Sequence, residues 1–200
     1  GRYVISDPHS ATECAEENAI VTRIQSDAVE RTGGYFVATP VDDPAWGDDW
    51  AKGATETKVP FEEVSVADLL KAEPRINPRI SRAFKVEDGS VDGWQLVWGA
   101  ANSAKQYGAQ ILTYHRVTGI TRDGDRVAQV ICTDEKTGEE VRITTNFVLN
   151  CAAAWGGQIA AMADCPDVQV VPGAGIMIAM NHRITNSVIN RLTYPADSDI

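Results

Sequence analysis

The sequence predicts a mixed α/β (α+β) protein, and three observations predict it. Apolar residues recur near every 3.6 positions between residues 94 and 107, which is the spacing of a helix face. The stretch from 117 to 145 instead alternates in short apolar runs divided by turn residues, as paired strands do. Beyond it, an apolar run at 147–149 passes through small residues into a second helical pattern, the strand–turn–helix grammar of an α/β sheet.

Each element has its own local reason. Ser10-Ala11-Thr12-Glu13 fits a capping box, so a helix is predicted from there, with Cys14, Ala15, Ala19 and Ile24 as a modest stripe and Gly33-Gly34 as its end. Tyr35–Thr39 reads as a short strand stopped by Pro40. Asp42–Gly53 is a weak helix or a loop, with Trp46 and Trp50 four apart. Val64–Ala72 is a short helix opened by Ser65 and closed before Pro74. Pro74 to Pro78 reads as a surface connection, and Ala83–Val86 as a strand. Asp92-Gly93 leads into the strongest helix, Trp94–Tyr107, which stops at Gly108 and is expected to turn Leu96, Ala100, Ala104 and Tyr107 to the core.

The second half is predicted as β structure. Ile111–Thr113, Val117–Arg122, Arg126–Thr133 and Glu140–Thr145 are strand-like, and Asp123-Gly124 and Lys136-Thr137-Gly138 turn the last three into an antiparallel meander. Phe147-Val148-Leu149 reads as a buried strand running through Asn150-Cys151-Ala152-Ala153-Ala154-Trp155-Gly156-Gly157 into a helix that ends at Met162. A last β run, Val168–Met180, is interrupted from Pro172 to Gly175.

Composition limits the function. Two hundred residues, 44% apolar and 23% charged, suit a globular domain or one and a half. A net charge of −10 repels phosphate backbones, which argues against nucleic-acid binding. No apolar run approaches the roughly 20 residues of a membrane span. Cys14, Cys132, Cys151 and Cys165 are scattered without metal-ligand spacing and are expected to be reduced thiols in a cytosolic protein.

The richest segment chemically is Phe147–Ala163. Its alanines and glycines let a backbone approach a ligand, and the same small residues let a helix pack tightly on a strand. A dinucleotide fingerprint is not present: Gly173-Ala174-Gly175 begins one, but Ile178 stands at its last position. Among the histidines, His9 reads as a turn residue and His115 as half-exposed on a strand. His182, flanked by Asn181 and Arg183 with Arg191 further on, is the best placed for acid/base work, although a histidine so placed more often serves structure. Arg2 and Tyr3 have the chemistry to hold a phosphate.

Whole stretches then match a family in order. Gly1-Arg2-Tyr3, Glu16-Glu17-Asn18, Glu73-Pro74-Arg75-Ile76-Asn77-Pro78 and Val86-Glu87-Asp88-Gly89-Ser90-Val91-Asp92 are followed by Tyr107-Gly108-Ala109 and Val117-Thr118-Gly119. Val148 to Gly156, His182-Arg183-Ile184-Thr185-Asn186 and Val188-Ile189-Asn190-Arg191 continue the series. This series resembles the FAD-dependent glycerol-3-phosphate dehydrogenases, above all the large (A) subunit of the anaerobic enzyme.

The resemblance implies an internal segment of a glutathione-reductase-like FAD-binding fold, with the meander and part of a mixed-sheet substrate domain. Residues 1–34 would follow the FAD fingerprint as a helical segment, 35–90 would belong to the substrate (cap) domain, 91–165 to the FAD domain, and 166–200 would return to the substrate domain. It implies oxidation of sn-glycerol 3-phosphate to dihydroxyacetone phosphate, with electrons passed through iron–sulfur companion subunits to quinone. The enzyme would then be cytoplasmic, held at the inner face of the cell membrane by those partners.

By the same resemblance, Val117 meets the adenosine part of FAD through its backbone, and Cys151, Ala152, Ala153 and Trp155 pass near the cofactor. Arg2 and Tyr3 match positions near the substrate phosphate, and His182 matches a histidine near the reacting hydroxyl. Two departures stand out. The family usually has glycine where Ala153 stands, and P-x-K-G-S where this chain reads Pro172-Gly173-Ala174-Gly175-Ile176. The lost lysine and serine leave open a related flavin oxidase of amines, of the glycine or sarcosine oxidase kind. The isolated 200 residues are expected to be a colourless, non-catalytic scaffold.

Overall fold

A proline, not a serine, opens the first helix. In the computed structural model, which describes residues 1–171 and 173–191, α1 spans Pro8–Ile24 and Asp7 is its N-cap, accepting the Ser10 N–H at 3.1 Å. Pro8 has no N–H to leave unpaired and a fixed φ suited to the first turn, so the helix starts ahead of the expected capping box. Ser10 lies inside it, donating its hydroxyl to Asp7, and His9 is an exposed first-turn residue 3.6 Å from Glu13.

The chain divides into two units, one of Gly1–Tyr107 with the described residues from Ala179 on, the other of Gly108–Ile178. In the first, β1 (Val29–Glu30) precedes β2 (Gly34–Ala38), the strand expected at 35–39. All five residues of β2 are buried, because the strand has both faces covered. The uncertain 42–53 stretch is a full helix, α2 (Pro44–Glu56), capped by Asp43 and burying both Trp46 and Trp50. Next come β3 (Phe61–Val64), which the sequence did not announce, and α3 (Val66–Ala72), opened by Ser65 as expected. β4 (Arg82–Val86), β5 (Ser90–Val91) and α4 (Gly93–Gln106) complete this part.

β3, β4 and β2 pair antiparallel, and the late strand β9 (Val188–Arg191) adds to β2 in parallel, giving a mixed sheet. Alternation along β2 sends Phe36 and Ala38 to one core, with Phe84, Trp46, Trp50, Ala54 and Val4. Tyr35 and Val37 face the other, with Leu69, Ile80 and Ala83. Trp50 centres the first core: its ring lies 4.9 Å from Phe36, 5.0 Å from Phe84 and 5.4 Å from Phe61.

The expected inward stripe of α4 is only partly realised. Leu96 and Ala104 are half-buried, Ala100 is exposed, and Tyr107 is 89% exposed. The main neighbour of α4 within this unit is the short turn Ser26–Ala28, too small to cover an apolar helix face.

The second unit is built on the expected meander. β6 (His115–Asp123), β7 (Arg126–Asp134) and β8 (Glu140–Thr144) pair in that order. A 3-10 turn at Ala153–Trp155 and the helix α5 (Gly156–Met162) follow. Three expected strands are absent among the described residues: Ile111–Thr113, Phe147–Leu149 and the run from Val168 to Met180 are irregular. Phe147 and Leu149 are 74% and 76% exposed rather than buried. The cause is shared: an apolar run becomes a strand only where a neighbour takes up its N–H and C=O groups, and none of these runs has one. Pro172, at the interruption of the last run, lies outside the described residues. No helix among the described residues is long and apolar enough to cross a membrane.

Candidate functional site

In the first unit, Gly1-Arg2-Tyr3 is fixed to the core from below. The Trp50 indole donates to the Gly1 carbonyl at 3.0 Å, and Val4 is 2% exposed against α2. The Tyr3 carbonyl accepts from Asp7 N–H at 2.9 Å, joining the turn to the cap of α1. Arg2 and Tyr3 are thereby displayed as exposed side chains on a backbone that has little room to move.

His182 is exposed in the loop before β9, with Nδ1 2.6 Å from Asn181 Oδ1. An amide oxygen only accepts, so Nδ1 carries the proton and a neutral ring keeps its lone pair on Nε2. The neighbouring Arg183 guanidinium makes two bonds to Glu30, at 2.7 and 2.5 Å. That hydrogen bonding holds the Glu30 carboxyl below its usual range and raises the Arg183 guanidinium.

Arg191 is committed elsewhere. It bonds Asp42 at 2.6 and 3.2 Å, and Asp42 also accepts the Thr39 N–H and hydroxyl at 2.6 and 2.8 Å. Burial pushes the Asp42 carboxyl up, but the bonds from Arg191 and Thr39 outweigh it and leave the group below its ordinary value. A cavity of about 820 Å³ opens beside β2 and β9, lined by Val37, Ile80, Ile189 and Arg75 among others; Arg2, Tyr3 and His182 do not line it.

In the second unit, Val117 lies on β6 opposite Cys132, and the register slips before Gly119, leaving Thr118 as a bulge. A bulge takes a residue out of the ladder, so its backbone is free for another partner. Cys132 is buried, which pushes its thiol up. Cys151 to Trp155 form a loop shaped by Asn150, whose Nδ2 donates to the Gly156 carbonyl at 2.9 Å and whose Oδ1 accepts from Ala152 N–H at 3.2 Å.

Ala153 has φ +47°, a left-handed conformation in which a Cβ is strained. Cys151 and Ala153 are exposed, Ala152 is half-buried, and the Trp155 indole is 65% exposed. The glycines serve packing instead. A Cβ on Gly157 would stand 3.4 Å from the Val168 carbonyl, so its absence lets α5 lie close to residues 168–170. The glycines thus show the close helix packing that the sequence allows, while Cys151, Ala153 and Ala154 stand exposed. No group of metal-ligating side chains occurs among the described residues, and all four cysteines are free.

The second unit thus carries an exposed loop of small residues after a three-stranded meander, and the first unit a mixed sheet. The model of the FAD dependent oxidoreductase family matches residues 10–200, and the chain belongs to that family. It is 38% identical over 199 residues to the A subunit of the anaerobic glycerol-3-phosphate dehydrogenase of Escherichia coli (strain K12), covering 100% of this chain and 36% of that one. The chain thus spans about a third of the length of the curated relative it matches.

Two solved structures share the fold. L-proline dehydrogenase from P. horikoshii superposes with a TM-score of 0.68 at 18% identity, over 90% of this chain and 49% of that one. L-alpha-glycerophosphate oxidase from Mycoplasma pneumoniae, solved with FAD bound, gives 0.64 at 18% identity, over 82% and 44%.

The family's cofactor is FAD. The residues present are chemically compatible with such a group: the small side chains of Cys151–Ala153, the left-handed backbone at Ala153 and the open indole of Trp155 suit contact with a flat aromatic ring. The bulge beside Val117 leaves main-chain groups outside the ladder. The sequence contains no G-x-G-x-x-G loop for the diphosphate.

Proposed function

We propose that this chain is part of a flavoenzyme that oxidises sn-glycerol 3-phosphate to dihydroxyacetone phosphate. The 38% identity to a subunit of the anaerobic glycerol-3-phosphate dehydrogenase, sustained over the whole chain, carries this reading. Bound FAD supplies the two-electron acceptor. The Arg2 guanidinium and Tyr3 hydroxyl bind the substrate phosphate, for which a planar cationic donor set is well suited. His182 takes the hydroxyl proton on Nε2, while Asn181 holds Nδ1–H and keeps the ring in that tautomer. Val117, Cys151, Ala152, Ala153 and Trp155 contribute to the cofactor's wall.

The Escherichia coli relative is one subunit of a larger enzyme, which supports companions for this protein, and we assign them the iron–sulfur relay to membrane quinone. The intact protein then works on the cytoplasmic side of the membrane through those partners.

Steady-state turnover of the intact enzyme tests the reading. His182→Ala is expected to lower kcat for glycerol 3-phosphate by roughly 10²–10⁴-fold, and unchanged turnover removes His182 from the mechanism. One observation favours a second reading, a flavin oxidase of amines: Gly173-Ala174-Gly175-Ile176 brings no cation for an anionic substrate. Turnover of sarcosine or glycine in preference to glycerol 3-phosphate would establish it. The isolated 200-residue chain is expected to purify without flavin absorbance, and a stoichiometric flavin spectrum would contradict that.

A further inference from the structure

Glu73 is a carboxylate 2% exposed at the end of α3, and it opens the Glu73-Pro74-Arg75-Ile76-Asn77-Pro78 run that the proposed chemistry leaves unused. A buried carboxylate is costly unless its oxygens are filled with donors. Here the donors are two successive backbone N–H groups: Asn186, at 3.1 and 3.0 Å from the two oxygens, and Ser187, at 2.8 Å. No ion pair of Glu73 with a cation occurs among the described residues; its charge is met by main chain of one loop. That loop joins His182 to β9.

Other ties converge on the same loop. Arg75, two residues past Glu73, donates to the Arg183 carbonyl at 3.4 Å. The Arg183 side chain grips Glu30 of β1. The loop is therefore held at 183, 186 and 187, and His182 stands immediately before the first of these points. Arg183–Glu30 is a half-exposed surface pair of the kind that contributes little alone, whereas the Glu73 carboxylate is buried and its part-buried bonds hold the main chain itself.

We infer that Glu73 is a positioning residue for His182: its buried carboxylate, by seizing the Asn186 and Ser187 N–H groups, sets the path of the loop that presents the imidazole. The inference rests on the reading of His182 as the proton-accepting group. A carboxylate suits this role because both oxygens accept, whereas an amide of the same size presents one acceptor and one donor to the two N–H groups.

The test uses the intact flavoenzyme with Glu73→Gln, Glu73→Asp and His182→Ala, read by steady-state kinetics on glycerol 3-phosphate and by hydrogen exchange at the Asn186 and Ser187 amides. Glu73→Gln is expected to speed exchange at both amides and to lower kcat roughly 10- to 100-fold with KM changed less than about twofold, because misplacing a reacting group costs rate rather than binding. Glu73→Asp, which keeps two acceptors on a shorter arm, is expected to recover part of both; if Glu73→Gln does not fold, the shortened side chain carries the test with smaller shifts of the same sign.

Unchanged exchange at 186 and 187 overturns the inference. So does faster exchange with undiminished kcat in an enzyme that His182→Ala impairs. If His182→Ala turns over normally, the proposed proton role fails instead, and the positioning role falls with it even where exchange shows the anchor.

Discussion

Gly53 of α2 lies against the main chain of Val4: a Cβ placed on that glycine would stand 2.6 Å from the Val4 carbonyl oxygen and 3.1 Å from its carbon. Glycine inside a helix ordinarily costs roughly 0.5–1 kcal/mol relative to alanine, so the contact must repay that loss. What it secures is the position of the turn that carries Arg2 and Tyr3.

Gly53→Ala is therefore expected to destabilise the fold, by about 1–3 kcal/mol from overpacking, where helix propensity alone predicts a gain. Displacement of Val4 also moves Tyr3 and Arg2, so on the proposed phosphate-binding role of these two residues KM for glycerol 3-phosphate should rise by roughly tenfold if about 1.4 kcal/mol of phosphate binding is lost. Thermal unfolding and steady-state kinetics on the intact enzyme check both halves. A variant more stable than the parent would show that the approach of Val4 is not what the glycine is for.

Ala153 gives a prediction of opposite sign. Its φ of +47° is a conformation that costs an L side chain roughly 1–2 kcal/mol and a glycine almost nothing. Against this, glycine makes the unfolded chain more flexible, at roughly 0.4–1 kcal/mol. The balance favours Ala153→Gly by about 0.5–1 kcal/mol, measured as a higher denaturant midpoint with an unchanged slope. The loop needs the conformation, and this chain reaches it against the preference of its own side chain.

Legibility in the sequence followed the range of the interactions. The meander could be read because its pairing is local: Asp123-Gly124 and Lys136-Thr137-Gly138 turn each strand onto its neighbour. β9 could not, since Val188 finds its partner at Gly34, far back in the chain, and nothing in Val-Ile-Asn-Arg announces it. Phe147–Leu149 failed for the converse reason, having the composition of a buried strand and no ladder to join. α2 was obscured by Gly47, Gly53 and its acidic residues, although Trp46 and Trp50 marked its buried face. In the candidate site, the residue types at 2, 3 and 182 suggested chemistry, while Asn181 as the partner of His182 and Glu73 as the anchor of its loop emerged only from the fold. An E-P dipeptide reads as a helix end, and burial of its carboxylate is a tertiary event.

Trp50 separates packing from hydrogen bonding. Its ring contacts Phe36, Phe84 and Phe61, and its indole N–H holds the Gly1 carbonyl. Trp50→Ala should cost about 3–5 kcal/mol, as truncations of large buried aromatics do. Trp50→Phe keeps an aromatic body in the core but removes the donor, at about 1–3 kcal/mol if the carbonyl is left unpaired. Because that carbonyl precedes Arg2, Trp50→Phe is also expected to raise KM for glycerol 3-phosphate more than it lowers kcat. Equal effects on both parameters would detach the phosphate reading from this turn.

Asp42 links the sheet to pH. Its side chain is 4% exposed, and with Arg191 and Thr39 as donors its carboxyl lies below its ordinary 3.8 in the folded protein. The folded state thus holds fewer protons on this group than the unfolded chain does as the two forms titrate, and stability rises with pH there. The contribution is complete above the unfolded value, and it declines as pH falls through 3.8 toward the lower folded value. Asp42→Asn removes the charge at every pH, so it should lower stability near neutrality by about 1–3 kcal/mol, the cost of weakening a buried charge-assisted network. The difference between variant and parent should shrink as the solution is acidified, because protonation does to the parent what the substitution has already done. Urea unfolding from pH 7 down to pH 3 measures this directly. A difference that stayed constant over that range would mean that Asp42 acts through shape alone, and that its bond from Arg191 of β9 adds no charge-dependent stability.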